Sequence, residues 1–160
     1  MTKQFASTFD GRKAVIGNLE LIVDQETLAE ATSLPNTGEE WFKGKYDKNN
    51  FHWNHFFKRN APREFGKGLA LTLLKKKYRE LMLTILDYIT CEGRYSLLFA
   101  FHVRLLIVSE GRAVNLPYFL LKILRKMSKA YQRTLNPQSL FHHGLICIIL
   151  KHKLVTCHLS

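Results

Sequence analysis

Five cations between residues 117 and 133 have a spacing that could bind the phosphates of a nucleic acid. These are Lys122, Arg125, Lys126, Lys129 and Arg133. Because an α-helix turns by roughly 100° per residue, the gaps of 3, 1, 3 and 4 place them within about 100° of arc. Such a stripe releases counterions from each phosphate that it neutralises, so its binding would weaken strongly with salt. A solvated helix face is the alternative interpretation, and the charge of the whole chain favours the polyanion.

A second basic group precedes this segment, and we predict that it adds to the same interface. It consists of Lys75, Lys76 and Arg79, with Lys77 between them. Consecutive residues point in different directions on a helix, so the group is a weaker patch than the stripe. Within a helix, such a group is usually only a solvated face.

The charge of the chain increases toward its C-terminal end. The net charge is +11, from 24 Lys and Arg against 13 Asp and Glu. Residues 111–160 contain eight basic residues and no acidic residue, whereas residues 1–50 contain eight acidic and six basic residues. A polyanion such as DNA or RNA should therefore meet the C-terminal half first, with little base specificity.

Catalytic and metal-binding patterns are weak in this sequence. Neither a GxSxG nor an HExxH pattern occurs, and no acidic residue follows Glu110, so the carboxylates of a metal-dependent nuclease would have to precede it. Soft ligands do cluster near the end: His142, His143, Cys147, His152, Cys157 and His158. His143 and Cys147 lie one helical turn apart, but without a CxxC pair we expect packed cysteine and surface histidines. We predict no enzyme activity, no cofactor and no metal.

Aromatic residues are interspersed with histidines and cations at positions 51–59 (FHWNHFFKR), as in some surfaces that stack the bases of a single strand. More often such a cluster anchors a loop onto the core.

The apolar stretch Leu97–Val108 contains His102 and Arg104 and is too short to span a bilayer, so it predicts a buried helix and no membrane contact. We expect a hydrogen-bonded His102, and an anionic partner for Arg104 among Asp87, Glu92 and Glu110.

Three cysteines and an N-terminus without an apolar signal segment predict a reducing compartment, nuclear or cytoplasmic. Apolar usage is ordinary for a globular chain, at 46%.

The elements that must position these residues predict a mainly α fold. A β-hairpin is expected at residues 14–22 around Gly17-Asn18, with an extended piece at Phe5–Phe9. Asp24 should cap a helix at 25–32, and short helical turns are expected at 39–43 and 50–58. Further helices are predicted from residue 69 to Gly93, over 94–108, from the Asn115 cap to about 133, and over 138–154. We predict one domain over 1–160: the hairpin and short helices in 1–68, and a bundle of five or six helices overall, mostly in 69–155.

Four blocks of sequence occur in an order that resembles a known family. They are Leu34 to Phe42 (LPNTGEEWF), Cys91 to Arg94 (CEGR), His102 to Leu106 (HVRLL) and Asn115 to Leu120 (NLPYFL). Together they resemble the plant transposon protein domain of transposable-element-derived, retroelement-type reading frames, over roughly residues 5–155. The resemblance implies Gag-like packing or nucleic-acid handling, and it supplies no catalytic residues.

Our function prediction is a non-enzymatic, transposable-element-derived module that binds nucleic acid through its basic C-terminal helices. One alternative is a Gag-like assembly domain that self-associates through apolar surface around Trp41, Phe42 and Trp53. The other is a degenerate copy without activity. Folding alone can explain every block of the resemblance.

Overall fold

The computed structural model describes residues 1–40, 53–65, 67–90, 97–134 and 143–159. The chain is mainly α-helical with a small antiparallel hairpin near the N-terminus, which confirms the predicted fold class. It divides into two compact units, one made of Met1–Thr37 with Asn115–Ser160 and the other of Gly38–Val114. We call them unit 1 and unit 2. The prediction of a single domain stays a prediction.

The described elements include seven α-helices. In chain order they are α1 (Thr2–Thr8), β1 (Lys13–Ile16), β2 (Leu19–Ile22), α2 (Gln25–Thr32), α3 (Trp53–Phe56), β3 (Leu69–Ala70), α4 (Lys76–Ile85), β4 (Leu97–Leu98), α5 (Ala100–Arg104), α6 (Leu116–Thr134) and α7 (His143–Leu159). A 3₁₀ turn lies at Leu71–Leu73, a π-helix at Leu86–Thr90, and a 3₁₀ helix at Leu105–Glu110. In unit 1, α6 contacts α1 and α2, and α7 contacts the same two helices.

The predicted hairpin is confirmed in unit 1. Strands β1 and β2 pair antiparallel, with Ile16 opposite Leu19 beside the turn. Gly17 adopts a φ of 59°, which a residue without a Cβ accepts at low cost. Ala14 and Leu21 face each other across the ladder and are both buried, so one face of the hairpin joins the core.

The expected extended piece at the N-terminus is wrong, because those residues form α1. Phe5 and Phe9 lie one turn apart and stack with ring centroids 5.0 Å apart, so their spacing of four reflects a helical contact. The C-terminal end of α1 is held by α6: Nε2 of Gln132 donates to the carbonyl oxygens of Ala6 at 3.1 Å, Ser7 at 3.3 Å and Phe9 at 3.1 Å. These bonds satisfy carbonyls that a helix end leaves without an intrahelical partner.

Side chains cap two helices of unit 1 as predicted. Oδ1 of Asp24 accepts from the backbone N–H of Thr27 at 2.8 Å at the start of α2. This bond is the main reason that the pKa of Asp24 lies below its ordinary value. Oδ1 of Asn115 accepts from the N–H of Tyr118 at 3.1 Å at the start of α6. Asn115 also donates to Oδ1 of Asn36 at 3.0 Å, which ties the cap to the segment after α2.

In unit 2 the helices begin later than predicted. Helix α4 begins at Lys76, because Leu69 and Ala70 pair instead with β4, where Leu69 lies opposite Leu98. Of the helix expected over 94–108, residues 94–96 lie outside the described residues, Leu97 and Leu98 form β4, and helix α5 begins at Ala100 and continues as a 3₁₀ helix. The predicted burial holds for residues such as Val103 and Leu106, which are fully buried, whereas Leu97, Phe99 and Val108 are exposed.

The helical turn expected at 39–43 is wrong at its first residue. Glu39 forms an isolated parallel bridge with Val114, and its N–H donates to the carbonyl of Ala113 at 2.9 Å. The short helix expected at 50–58 is found as α3. Several parts of the predictions lie outside the described residues: positions 41–43, 50–52 and 94–96, Gly93, the start signal at Asn136-Pro137, and positions 138–142 of the last predicted helix.

Candidate nucleic-acid interface

The five cations predicted to bind phosphate all lie on α6, and the helix is amphipathic as expected. Its opposite side is buried in unit 1, with Ile123 and Leu124 fully inaccessible to solvent. Lys129 and Arg133 are exposed, whereas Lys122, Arg125 and Lys126 are half-buried. The stripe is therefore real as a helix face, but its members differ in how far they reach into solvent.

Arg125 has a structural contact that the sequence did not indicate. Its Nε–H donates to the carbonyl oxygen of Gly11 at 2.7 Å, across 114 positions of the chain. Gly11 adopts a φ of 104°, and a Cβ at this position would lie 3.5 Å from Nε of Arg125. The guanidinium thus holds the turn between α1 and β1, so part of its hydrogen-bonding capacity is already used.

Lys122 contacts an aromatic ring of its own helix. Its Nζ lies 5.1 Å from the ring centroid of Tyr118, one turn earlier, in a cation–π arrangement. Such a contact orients the ammonium without removing its charge. Lys122 therefore keeps the capacity to attract an anion.

The acidic residues of unit 1 precede Ser33 in the sequence, and neither α6 nor α7 contains one. One of them, Glu20, pairs with Lys13 across the hairpin at 2.9 Å. Since α6 itself contains no acidic residue, intrahelical pairs cannot neutralise Lys129 and Arg133.

The second basic group is dispersed and lies in unit 2. Nζ of Lys75 donates to the carbonyl of Asn54 at 2.5 Å. Arg79 donates from Nε to the carbonyl of Leu74 at 3.0 Å and from Nη2 to that of Thr72 at 3.1 Å. Arg79 therefore caps the 3₁₀ turn before α4, while Lys76 is exposed. Two of the three cations, Lys75 and Arg79, therefore already donate to backbone carbonyls.

The aromatic residues of α3 and its neighbourhood are part of the core. Trp53 is 7% exposed, and Phe56 and Phe57 are more deeply buried. The Trp53 ring lies 5.1 Å from that of Phe65. This favours the loop-anchoring interpretation over base stacking, and it removes Trp53 from any exposed assembly surface. Phe51, His52, Trp41 and Phe42 lie outside the described residues.

Cys147 is exposed, so the prediction of a packed cysteine at this position is wrong. Its Sγ lies 3.6 Å from Nε2 of His143, whose Nδ1 lies 2.6 Å from Oγ1 of Thr2. Within the described part of the chain, no three His, Cys, Asp or Glu residues come together as a metal would require. The remaining candidate ligands, His142, Cys157 and His158, are not among the described side chains.

The prediction of a buried, hydrogen-bonded His102 is confirmed. Its Nδ1 accepts from the N–H of Phe99 at 3.0 Å at the start of α5. Nη2 of Arg104 donates to Oε2 of Glu39 at 2.6 Å, an acceptor that was not among the expected partners. Of those expected partners, Glu92 lies outside the described residues. The other carboxylate oxygen of Glu39 accepts from Arg112, so one carboxylate serves two guanidinium groups.

Comparison of the chain with protein-family models, with curated proteins and with solved structures finds no match. None of the helices in the described ranges has the length and apolar character needed to cross a bilayer.

Proposed function

We propose that this chain is a non-enzymatic module that binds nucleic acid through phosphate contacts made by α6. The observation that carries the proposal is the side of α6 that bears the exposed Lys129 and Arg133, opposite a fully buried apolar side. Lys122 and Lys126 extend the same face. An origin in a transposable element rests on the resemblance of the four sequence blocks alone.

The mode of binding that this face supports is electrostatic. Lysine and arginine side chains on one helix face contact phosphate oxygens and carry no sequence information by themselves. The partner is accordingly DNA or RNA with low base specificity, in a nuclear or cytoplasmic setting. Arg125 is assigned a positioning role, because its contact with Gly11 fixes the turn beside α6.

The test measures salt-dependent binding of a labelled 20-mer oligonucleotide, single-stranded and double-stranded, by fluorescence anisotropy. The variant is Lys129→Glu with Arg133→Glu in the full chain. The matched control is Lys3→Glu with Lys151→Glu, which changes the net charge equally at exposed positions on α1 and α7. A plot of log K against log salt concentration has a negative slope. We expect this slope to be less steep in the α6 variant, by roughly 1–2, since two phosphate contacts are lost.

Equal losses in the two variants would mean that net charge alone drives binding, and the assignment to α6 would be wrong. Unchanged binding of the oligonucleotide by the α6 variant would also show that the assignment to α6 is wrong. Thermal unfolding of both variants, followed by circular dichroism, verifies that the charge reversals leave the fold intact.

A further inference from the structure

An open cleft of about 570 Å³ in unit 2 is lined by three cations. The lining residues are Asn54, Phe57, Arg59, Arg63 and Lys75. Among the described residues that line the cleft, none is a carboxylate. The cleft therefore combines positive charge with an amide and the edge of the buried aromatic cluster.

Backbone pairing fixes the two sides of this cleft against each other. Phe57 forms an antiparallel bridge with Leu74. The N–H of Lys75 donates to the carbonyl of Phe56 at 2.9 Å, and the N–H of Lys58 donates to the carbonyl of Leu73 at 2.9 Å. The segment before α4 is thereby held beside the end of α3, and Lys75 is brought to Arg59 and Arg63 from a position 12 or more residues away.

A hydrogen bond to α3 orients the side chain of Lys75 within the cleft. Nζ donates to the carbonyl of Asn54 at 2.5 Å, and an ammonium group has three donors in total. One bond positions the group while its charge is kept. Arg59 and Arg63 are exposed, and a guanidinium has five N–H donors in a planar fork that matches the oxygens of a phosphate. Arg63 also has a contact within the protein, so its role as a donor needs only the N–H groups that this contact leaves.

We propose that this cleft binds a phosphate group, with Arg59 and Arg63 as fork donors and Lys75 as a fixed point charge. Three cations around one open cleft suit a multiply charged anion better than a single carboxylate, because each added charge on the ligand gains attraction to all three. The phosphate is either free or terminal on a small molecule, or it belongs to a polynucleotide backbone. The site lies in unit 2 and does not depend on the assignment of α6.

Pyrophosphate is the probe, titrated calorimetrically into the full-length protein at low ionic strength. The cleft variant is Arg59→Gln with Arg63→Gln. The control is Lys58→Gln with Lys67→Gln, which removes the same charge from exposed neighbours that do not line the cleft. We expect the cleft variant to lose about tenfold or more in affinity, because charge-assisted bonds are removed, and the control to lose less than about twofold.

Equal weakening in both variants, or no binding of pyrophosphate by the wild-type chain, would overturn the proposal. A second arm uses an oligonucleotide without a terminal phosphate. If the cleft variant also binds this oligonucleotide more weakly than the control does, the phosphate belongs to a polynucleotide backbone. If only pyrophosphate binding is lost, the ligand is a free or terminal phosphate.

Discussion

Arg104 and Glu39 are joined by a charged hydrogen bond of 2.6 Å, although 65 positions separate them in the sequence. Both side chains are largely shielded from solvent, with 19% of Arg104 and 30% of Glu39 exposed. Arg112 donates to the second oxygen of the same carboxylate. Glu39 therefore neutralises two cations in unit 2, and its backbone also pairs with the segment around Val114.

Replacing Glu39 should destabilise the protein more than the loss of an ordinary surface carboxylate. In Glu39→Gln the charge that accepts from both Arg104 and Arg112 is lost, so we expect the free energy of unfolding to fall by about 1–3 kcal/mol. Urea denaturation measures this change. The control Glu80→Gln, at an exposed position of α4, should change it by less than about 0.5 kcal/mol. Equal effects would show that Glu39 acts only through net charge.

Gly38 should tolerate no side chain, because it lies against the backbone of Ala113 and Val114. It adopts a φ of 113°, and a Cβ there would lie 2.8 Å from the carbonyl carbon and oxygen of Ala113. We expect Gly38→Ala to cost roughly 3 kcal/mol or more, from a strained φ combined with a backbone clash.

Gly111 provides the matched control for Gly38. It also has a positive φ, of 77°, but a Cβ there would meet nothing within 4 Å. The substitution Gly111→Ala should therefore cost only about 1–2 kcal/mol, from the backbone conformation alone. Thermal unfolding of both variants compares them directly, and an equal loss would contradict the close approach at Gly38.

Arg125 should contribute to stability more than the exposed cations of the same helix do. Arg125→Ala removes the bond to the carbonyl of Gly11 and should lower the free energy of unfolding by about 1–2 kcal/mol. Lys129→Ala, four residues further along α6, should change it by less than about 0.5 kcal/mol. Denaturant midpoints report the difference. If the two variants are equally stable, the Gly11 contact contributes nothing in solution.

The cap of α2 should make stability depend on pH in the acid range. The N–H of Thr27 holds the pKa of Asp24 below its ordinary value of 3.8, against a smaller opposing effect of burial. A lowered folded-state pKa contributes stability that is present above about pH 3.8 and is lost as the pH falls through the folded-state pKa.

The stability gap between the wild type and Asp24→Ala should therefore be widest near neutral pH and should narrow below pH 3.8. Chemical denaturation at a series of pH values from 7 downward measures it. Asp24→Asn is the matched control, since it retains an acceptor oxygen without the charge and should give a smaller gap at neutral pH. A gap that stays constant at all pH values would contradict the charged cap.

Local signals in the sequence were sufficient for the hairpin and for two helix caps. Gly17-Asn18 between apolar residues defines a tight turn within six positions, and Asp24 and Asn115 each cap a helix through an amide three residues away. These features depend only on neighbours in the chain. The amphipathic character of α6 was readable for the same reason, because its period is contained in one continuous segment.

Features that depend on distant partners were missed or misassigned. The acceptor of Arg104 precedes it by 65 positions, and that of Arg125 by 114, so no local pattern could indicate either one. Strands β3 and β4 have two residues each, too few to show an alternation. At α1, the prediction of an extended piece is wrong because two phenylalanines four residues apart suit one face of a helix as well as a strand.

Unit 1 is discontinuous in the sequence, since Gly38–Val114 separates its two parts. Gln132, which donates to the carbonyls of Ala6, Ser7 and Phe9, lies between 123 and 126 residues after them. During synthesis on the ribosome these hydrogen bonds cannot form until that residue has been added. The whole of unit 2 is synthesised in that interval and has all of its own residues available first. Vectorial synthesis thus sets an order of assembly in which the first part of unit 1, although made before unit 2, completes its packing only after unit 2 has been synthesised.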